Sequence, residues 1–144
     1  MTTWRTEMQL RLRDRLFQVP NIPAVEDMKY EGRSFKRPID KVYLEERIIS
    51  TFSQVEAYGR GPMITDSWIY SLNVFFPFGR TLTEIDDLCV GIVDAFPPGW
   101  SFDGFDSVFH GSVTNTELGS TIEDEGYALR MINVYFFTRR LAAA

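Results

Sequence analysis

The chain holds one histidine and one cysteine, and this bounds the chemistry it can do. A Ser-His-Asp or Cys-His arrangement would have to be built on His110. Its setting, "SVFHGSV", is apolar with a glycine next in line, which reads as a turn or a partly buried imidazole. Cys89 falls on the apolar stripe of an expected helix, where a thiol packs as a small inert hydrophobe. A lone cysteine makes no disulfide within the chain, and one His with one Cys cannot furnish a zinc set. Two carboxylate clusters remain, "DGFD" at Asp103–Asp106 and "EDE" at Glu123–Glu125. Neither has the ligand number of a calcium loop, and both read as exposed turns. "YGRGP" at 58–62 lacks the Lys-Ser/Thr ending of a phosphate loop. The expectation is no catalytic residue, no cofactor and no metal.

The stretch "FFPFGRTLTEIDDLC", Phe75 to Cys89, is the one place where an anion site has a rationale, because helix N-termini attract negative charge. Here Glu84, with Asp86 and Asp87, supplies that charge from within, and Thr81 and Glu84 have capping-box spacing. Pro77 ends a strand and Gly79 permits the bend, so the corner reads as a structural joint. Phe78 and Arg80 are not required by the joint, which makes them candidate contact residues.

The elements around these residues follow from periodicity. Residues 3–18 read as a helix with Trp4, Met8, Leu12 and Leu16 on one stripe and Thr3 as N-cap. Ala24 to Tyr30 reads as a short strand. Glu31 to Asp40 is a charged loop, long for a small domain. Lys41 to Ser50 has strand composition, and Thr51 to Tyr58 extends it or forms another strand. In "SWIYSLNVFF" Trp68, Tyr70, Leu72, Val74 and Phe76 share one face, with Ser67, Ser71 and Asn73 on the other. A helix over 82–95 buries Ile85, Leu88, Cys89, Ile92 and Phe96 and stops at "PPG". Residues 100–118 give one or two short strands. A long strand over 127–139, apolar on both faces, belongs at the centre of a sheet or under a subunit neighbour. The order predicts an α+β fold over 1–144 as a single domain: a mostly antiparallel β-sheet with two α-helices packed on one side.

Composition narrows the function classes. The chain has 144 residues, 44% of them hydrophobic and 15% aromatic, enough for one core. With 15 basic and 20 acidic residues the net charge is −5, a poor basis for gripping phosphate backbones. The charge is uneven: Arg5, Arg11, Arg13 and Arg15 precede Pro20, while Glu117, Glu123, Asp124 and Glu125 cluster late. No run has the length of a bilayer span and no leader pattern opens the chain, so a soluble protein made in the cytoplasm is expected. Twelve Phe, 6 Tyr and 3 Trp exceed what a domain of this size readily buries, and a contiguous exposed remainder marks an assembly surface.

Several blocks together resemble the tail terminator (tail completion) proteins of long-tailed bacteriophages, a family that includes the phage lambda tail terminator. They are the amphipathic opening "WRTEMQLRLRDRLFQVPNIP", the charged segment "YEGRSFKRPIDKVYLEERII", the strand–corner–helix "DSWIYSLNVFFPFGRTLTEIDDLCVGIVDAFPPG" and the closing strand "EGYALRMINVYFFTRR". The aromatic segment Trp100–Leu118 has no counterpart in that pattern. The resemblance implies a homo-oligomeric ring, commonly of six copies, that caps the tail tube and stops addition of tube protein. It implies docking of neck or head-completion proteins on the ring, DNA passing through the lumen without specific binding, no membrane partner, and a place in the virion after assembly in the host cytoplasm. Candidate interface residues are Arg33, Phe35, Lys36 and Arg37 in the loop, Phe78 and Arg80 at the corner, and Arg139 and Arg140 at the end. The alternatives are another neck or head-closure component, a small carboxylate-dependent hydrolase built on the two acidic turns, and a cellular adaptor that pairs by sheet edges.

Overall fold

Thr3 opens the first helix as expected: its hydroxyl accepts from the Thr6 amide at 3.2 Å. The computed structural model describes residues 3–38, 40–57, 62–80, 82–104, 108–124 and 126–141. Helix α1 runs Trp4–Leu16 and buries Met8, Leu12 and Leu16, one residue per turn. The strand expected over Ala24–Tyr30 is mostly absent. Val25–Asp27 forms a single 3-10 turn, closed by the Asp27 amide on the Ala24 carbonyl at 2.9 Å. Only β1, Met28–Tyr30, is extended. Glu26 and Asp27 are poor strand residues, and the turn takes them.

Seven strands form one mixed sheet in the order β1-β2-β3-β7-β5-β4, with β6 also on β7. They are β2 Tyr43–Ala57, β3 Pro62–Pro77, β4 Ser101–Asp103, β5 Phe109–Leu118, β6 Ile122–Asp124 and β7 Tyr127–Leu141. Residues after Ser50 therefore continue one strand. The pairings are antiparallel except β1 on β2, which is parallel, so the expected sheet carries a parallel edge. Strand β7 lies between β3 and β5, the central place that its two apolar faces predicted. Segment 100–118 resolves into β4 and β5. They sit close because Gly111 has no side chain: a Cβ there would lie 2.5 Å from the Phe102 ring.

Both helices cover the same face of the sheet. Helix α2, Leu82–Ala95, buries Ile85, Leu88, Cys89 and Ile92, with Phe96 just beyond its end. These meet Trp68, Tyr70, Leu72, Val74 and Phe76 of β3 and Ile132, Val134 and Phe136 of β7 in one core. Most of the aromatic surplus is spent here. Trp4 packs on Trp68 and Phe109, Trp68 stacks on Phe136, and Phe102, Trp100, Phe96 and Tyr70 continue the chain of rings. Phe52 and Phe78 are the mostly exposed aromatics among the described residues.

One charged pair crosses this core. Glu46 of β2 is 3% exposed. The Arg13 guanidinium of α1 donates to it at 2.7 and 2.9 Å, and the Tyr70 hydroxyl donates at 2.6 Å. The Arg13 guanidinium also lies 4.3 Å from the centre of the Tyr30 ring. Burial pulls the Arg13 pKa down, but hydrogen bonding and the charge of Glu46 outweigh it and hold it above the ordinary value. Burial, then the same carboxylate, pushes the Tyr70 phenol well above the ordinary tyrosine range. Arg15 donates to the Ala95 carbonyl at 2.7 Å, closing the C-terminal end of α2. Two of the four arginines that made the N-terminal segment look basic, Arg13 and Arg15, thus serve the interior.

Removing Arg13 strands a buried carboxylate. We expect Arg13→Ala to cost about 3 kcal/mol in urea unfolding. Adding Glu46→Gln should recover about half, because an amide still accepts from Tyr70 without a buried charge. A loss below about 1 kcal/mol for Arg13→Ala would contradict the clamp. Cys89 gives a second test. Burial raises its thiol from 9.0 to about 11, with the Arg130 charge pulling weakly the other way. The native thiol should therefore react with an aromatic disulfide at pH 8 at least about a hundredfold more slowly than in unfolded chains. Because the folded pKa is the higher one, this contribution to stability is whole below pH 9 and is lost as pH rises through about 11. Cys89→Ala should lose less stability over that window, read from urea midpoints; equal losses would contradict the assignment.

Candidate functional site

The face of the sheet away from the helices has two different halves. At one end Tyr43 of β2 stacks on Phe75 of β3 with ring centres 4.4 Å apart, and Tyr127 of β7 meets Tyr43 edge-on at 5.5 Å. Phe35 covers them, 5.4 Å from Tyr43. The Arg37 guanidinium lies 5.1 Å from the Tyr127 ring centre, and the Tyr127 hydroxyl donates to the Pro38 carbonyl at 2.5 Å. The loop after β1 is thus folded back over the sheet as a small second core. The face of β3 read as polar holds Phe75 in a buried position for this reason. Strand periodicity alone gives no sign that a loop will return to cover that side.

This arrangement brings two of the three candidate regions together. Arg37, Pro38 and Asp40 from the loop, with Pro77 and Phe78 from the corner, line a shallow depression of about 380 Å³. Phe78 stands 59% exposed at its edge. Gly79 has φ of 99°, the left-handed bend expected of it. Arg80 turns to a neighbouring cleft of about 570 Å³, floored by Phe76 and Leu88 and edged by Lys41, Asp27 and Glu84. Its guanidinium is 4.0 Å from the Glu84 carboxylate, an exposed contact worth little by itself. Lys36 is exposed, and Arg33 lies 5.8 Å from the Tyr30 ring centre. Thr81 lies outside the described residues, so the capping box does too.

The third region is elsewhere. Arg139 and Arg140 sit at the opposite end of β7 from Tyr127, about 40 Å along the strand. Arg140 is an interior residue in function. It donates to the buried Asp66 carboxylate at 3.2 Å and lies 4.7 Å from the Trp4 ring centre, while Ser53 donates to the other Asp66 oxygen. Arg139 is exposed beside Phe137.

The acidic turns do not form a site among the described residues. His110, expected in a turn or partly buried, lies on β5 with its side chain exposed. The apolar neighbours that suggested burial, Phe109 and Gly111, face the helices, and strand alternation sends His110 to the other side. Its Nδ1 is 2.8 Å from Asp103. Glu123 is exposed, and Phe105 to Ser107 and Glu125 lie outside the described residues. No group of three His, Cys, Asp or Glu side chains among the described residues could hold a metal ion.

Sequence reasoning missed the other half of the open face. Ile49 pairs with Ile69 and Ile69 with Tyr135; Phe52 pairs with Ser67 and Ser67 with Phe137. These rows share the face away from the helices. Ile49 is 42% and Phe52 57% exposed, and Ile69, Tyr135 and Phe137 are half-buried. The result is an apolar strip that none of the described residues covers. Its signal in the sequence is scrambled by a bulge between Ser50 and Phe52, which puts Ile49 and Phe52 on one face although they are three positions apart. An alternation rule assigns them to opposite faces.

No protein-family model and no curated protein matches the chain. A solved structure whose name describes no activity or partner is similar over 97% of this chain and 95% of its own, at 17% identity and a TM-score of 0.64. At that identity the likeness shows the fold alone: an α+β chain with two helices on one side of a mostly antiparallel sheet.

Proposed function

We propose that this chain is a structural virion protein that caps the tail tube of a long-tailed phage as an oligomeric ring of about six copies. The observation that carries the reading is the bare apolar strip around Ile49, Phe52, Tyr135 and Phe137 on an otherwise well-packed sheet. Apolar rows of this kind on a domain with a complete core mark contact with another protein. The block order of the sequence, which resembles the tail terminators, supplies the kind of partner. On this reading the ring stops addition of tube protein and offers its far side to neck or head-completion proteins. Its work is steric and needs no turnover. The net charge of −5 suits a ring whose lumen passes DNA without holding it. The paired loop and corner, Arg37 with Phe78 and Arg80, are the second contact region, held in place by the small aromatic core beneath them.

Tails assembled without the protein should vary in length and fail to join heads, as counted by electron microscopy. Adding the purified chain should restore uniform tails. Phe78→Ala with Arg80→Ala should reduce capping about tenfold or more while thermal unfolding shifts by no more than about 2 °C, since both residues are exposed. Tails of normal length in the absence of the protein would sink the reading.

A further inference from the structure

Strand β2 has an open side. Its partner β1 ends at the Tyr30–Glu46 pair, and from Arg47 to Ala57 no described strand lies beside it except β3. Residues 48–55, "IISTFSQV", carry no charge and no proline, two of the devices that keep a sheet edge from pairing, and the bulge at Thr51 interrupts the stretch without ending the strand. Within them Ile49, Phe52 and Val55 are 42%, 57% and 65% exposed.

The geometry points to a second copy of this chain as the occupant, paired β2 to β2 in antiparallel fashion across a two-fold axis. The open length and the faces of the strand together select the register. Pairing Arg47 with position 56 of the other copy uses all but the last residue of the open edge and stops where β1 ends. Ile48 then lies across from Val55, Ile49 from Gln54 and Ser50 from Ser53, each twice. Antiparallel partners must point to the same face, and in a regular strand residues seven apart do not. Here the extra residue at Thr51 restores the match: Ile48 and Val55 both lie on the helix side, as their partners Tyr70 and Ile64 show. The two-fold axis falls at the bulge, so both copies carry the irregularity at the same place. The sequence has opposite charges at the two ends, Arg47 and Glu56, and this register sets the two positions across from one another. Arg47 has 58% of its side chain exposed and, among the described residues, a loose 3.7 Å contact to Glu45.

The pairing would join two sheets into one and extend the apolar strip across both copies. A two-fold contact closes with two copies and is separate from the head-to-tail seam of a ring. It does not rest on the tail-capping reading, and capping is scored on tubes while pairing is scored in free solution.

The test is the solution mass of the full chain at tens of micromolar and low salt. The wild type should weigh twice 16.7 kDa. Arg47→Glu and Glu56→Arg should each weaken the pair roughly tenfold, since each sets like charges opposite one another at both ends. An equimolar mixture of the two variants should regain it, because every end then meets its opposite. The double variant Arg47→Glu with Glu56→Arg should regain it alone, which separates a broken contact from a folding defect. A wild-type monomer throughout that range, a mixture that stays monomeric, or an oligomer of any size that ignores the swaps would overturn the proposal.

Discussion

Glu46 points into the space between α1 and the sheet, and a carboxylate there has to be answered. Arg13 reaches down from α1, Tyr70 reaches across from β3, and Tyr30 closes over the guanidinium. The pair ties the first helix to two strands and sets where on the sheet that helix can lie. Much else follows from that placement. With α1 fixed, Arg15 reaches the end of α2 and Trp4 reaches Trp68, Phe109 and the Arg140–Asp66 pair. A buried ion pair is weak support for net stability compared with apolar packing. Its value here is in specifying one docking of the helix, since an alternative docking would leave Glu46 unpaired.

Because both helices are committed to one face, the other face must manage alone. The chain solves this for one end only. The loop after β1 folds back, and Phe35, Tyr43, Phe75 and Tyr127 make a small core that holds Arg37, Phe78 and the corner near one another. Among the described residues nothing covers the far end, and no strand but β3 lies beside β2 there. On the proposed reading, the half of the face that is left apolar is where a partner is met. The surface features of this protein are therefore consequences of how its core is arranged.

The helices and the main strand were legible in the sequence because their patterns are pure. Met8, Leu12 and Leu16 recur at helical spacing, and Trp68 to Phe76 alternate without interruption. The central place of β7 could be read from apolar residues on both its faces. Three things were hidden, each for a physical reason. The parallel β1 depends on a contact distant in sequence and on only three residues. The strip at Ile49 and Phe52 is masked by one bulged residue that shifts the alternation. The inward roles of Arg13, Arg15 and Arg140 are invisible because an arginine stem lies along apolar surface while its head finds a carboxylate or carbonyl. Counting them as surface charge overstated the basic character of the first helix.

The central claim is that this sheet is built to be covered by other proteins. Electron cryomicroscopy of assembled phage tails carrying the chain would test it most directly. The account predicts a ring of copies at the head-proximal end of the tube, with Phe52, Tyr135 and Phe137 buried against neighbouring chains and the Phe78 corner in contact. Particles that lack the chain, or a ring in which that strip faces open solvent, would contradict it.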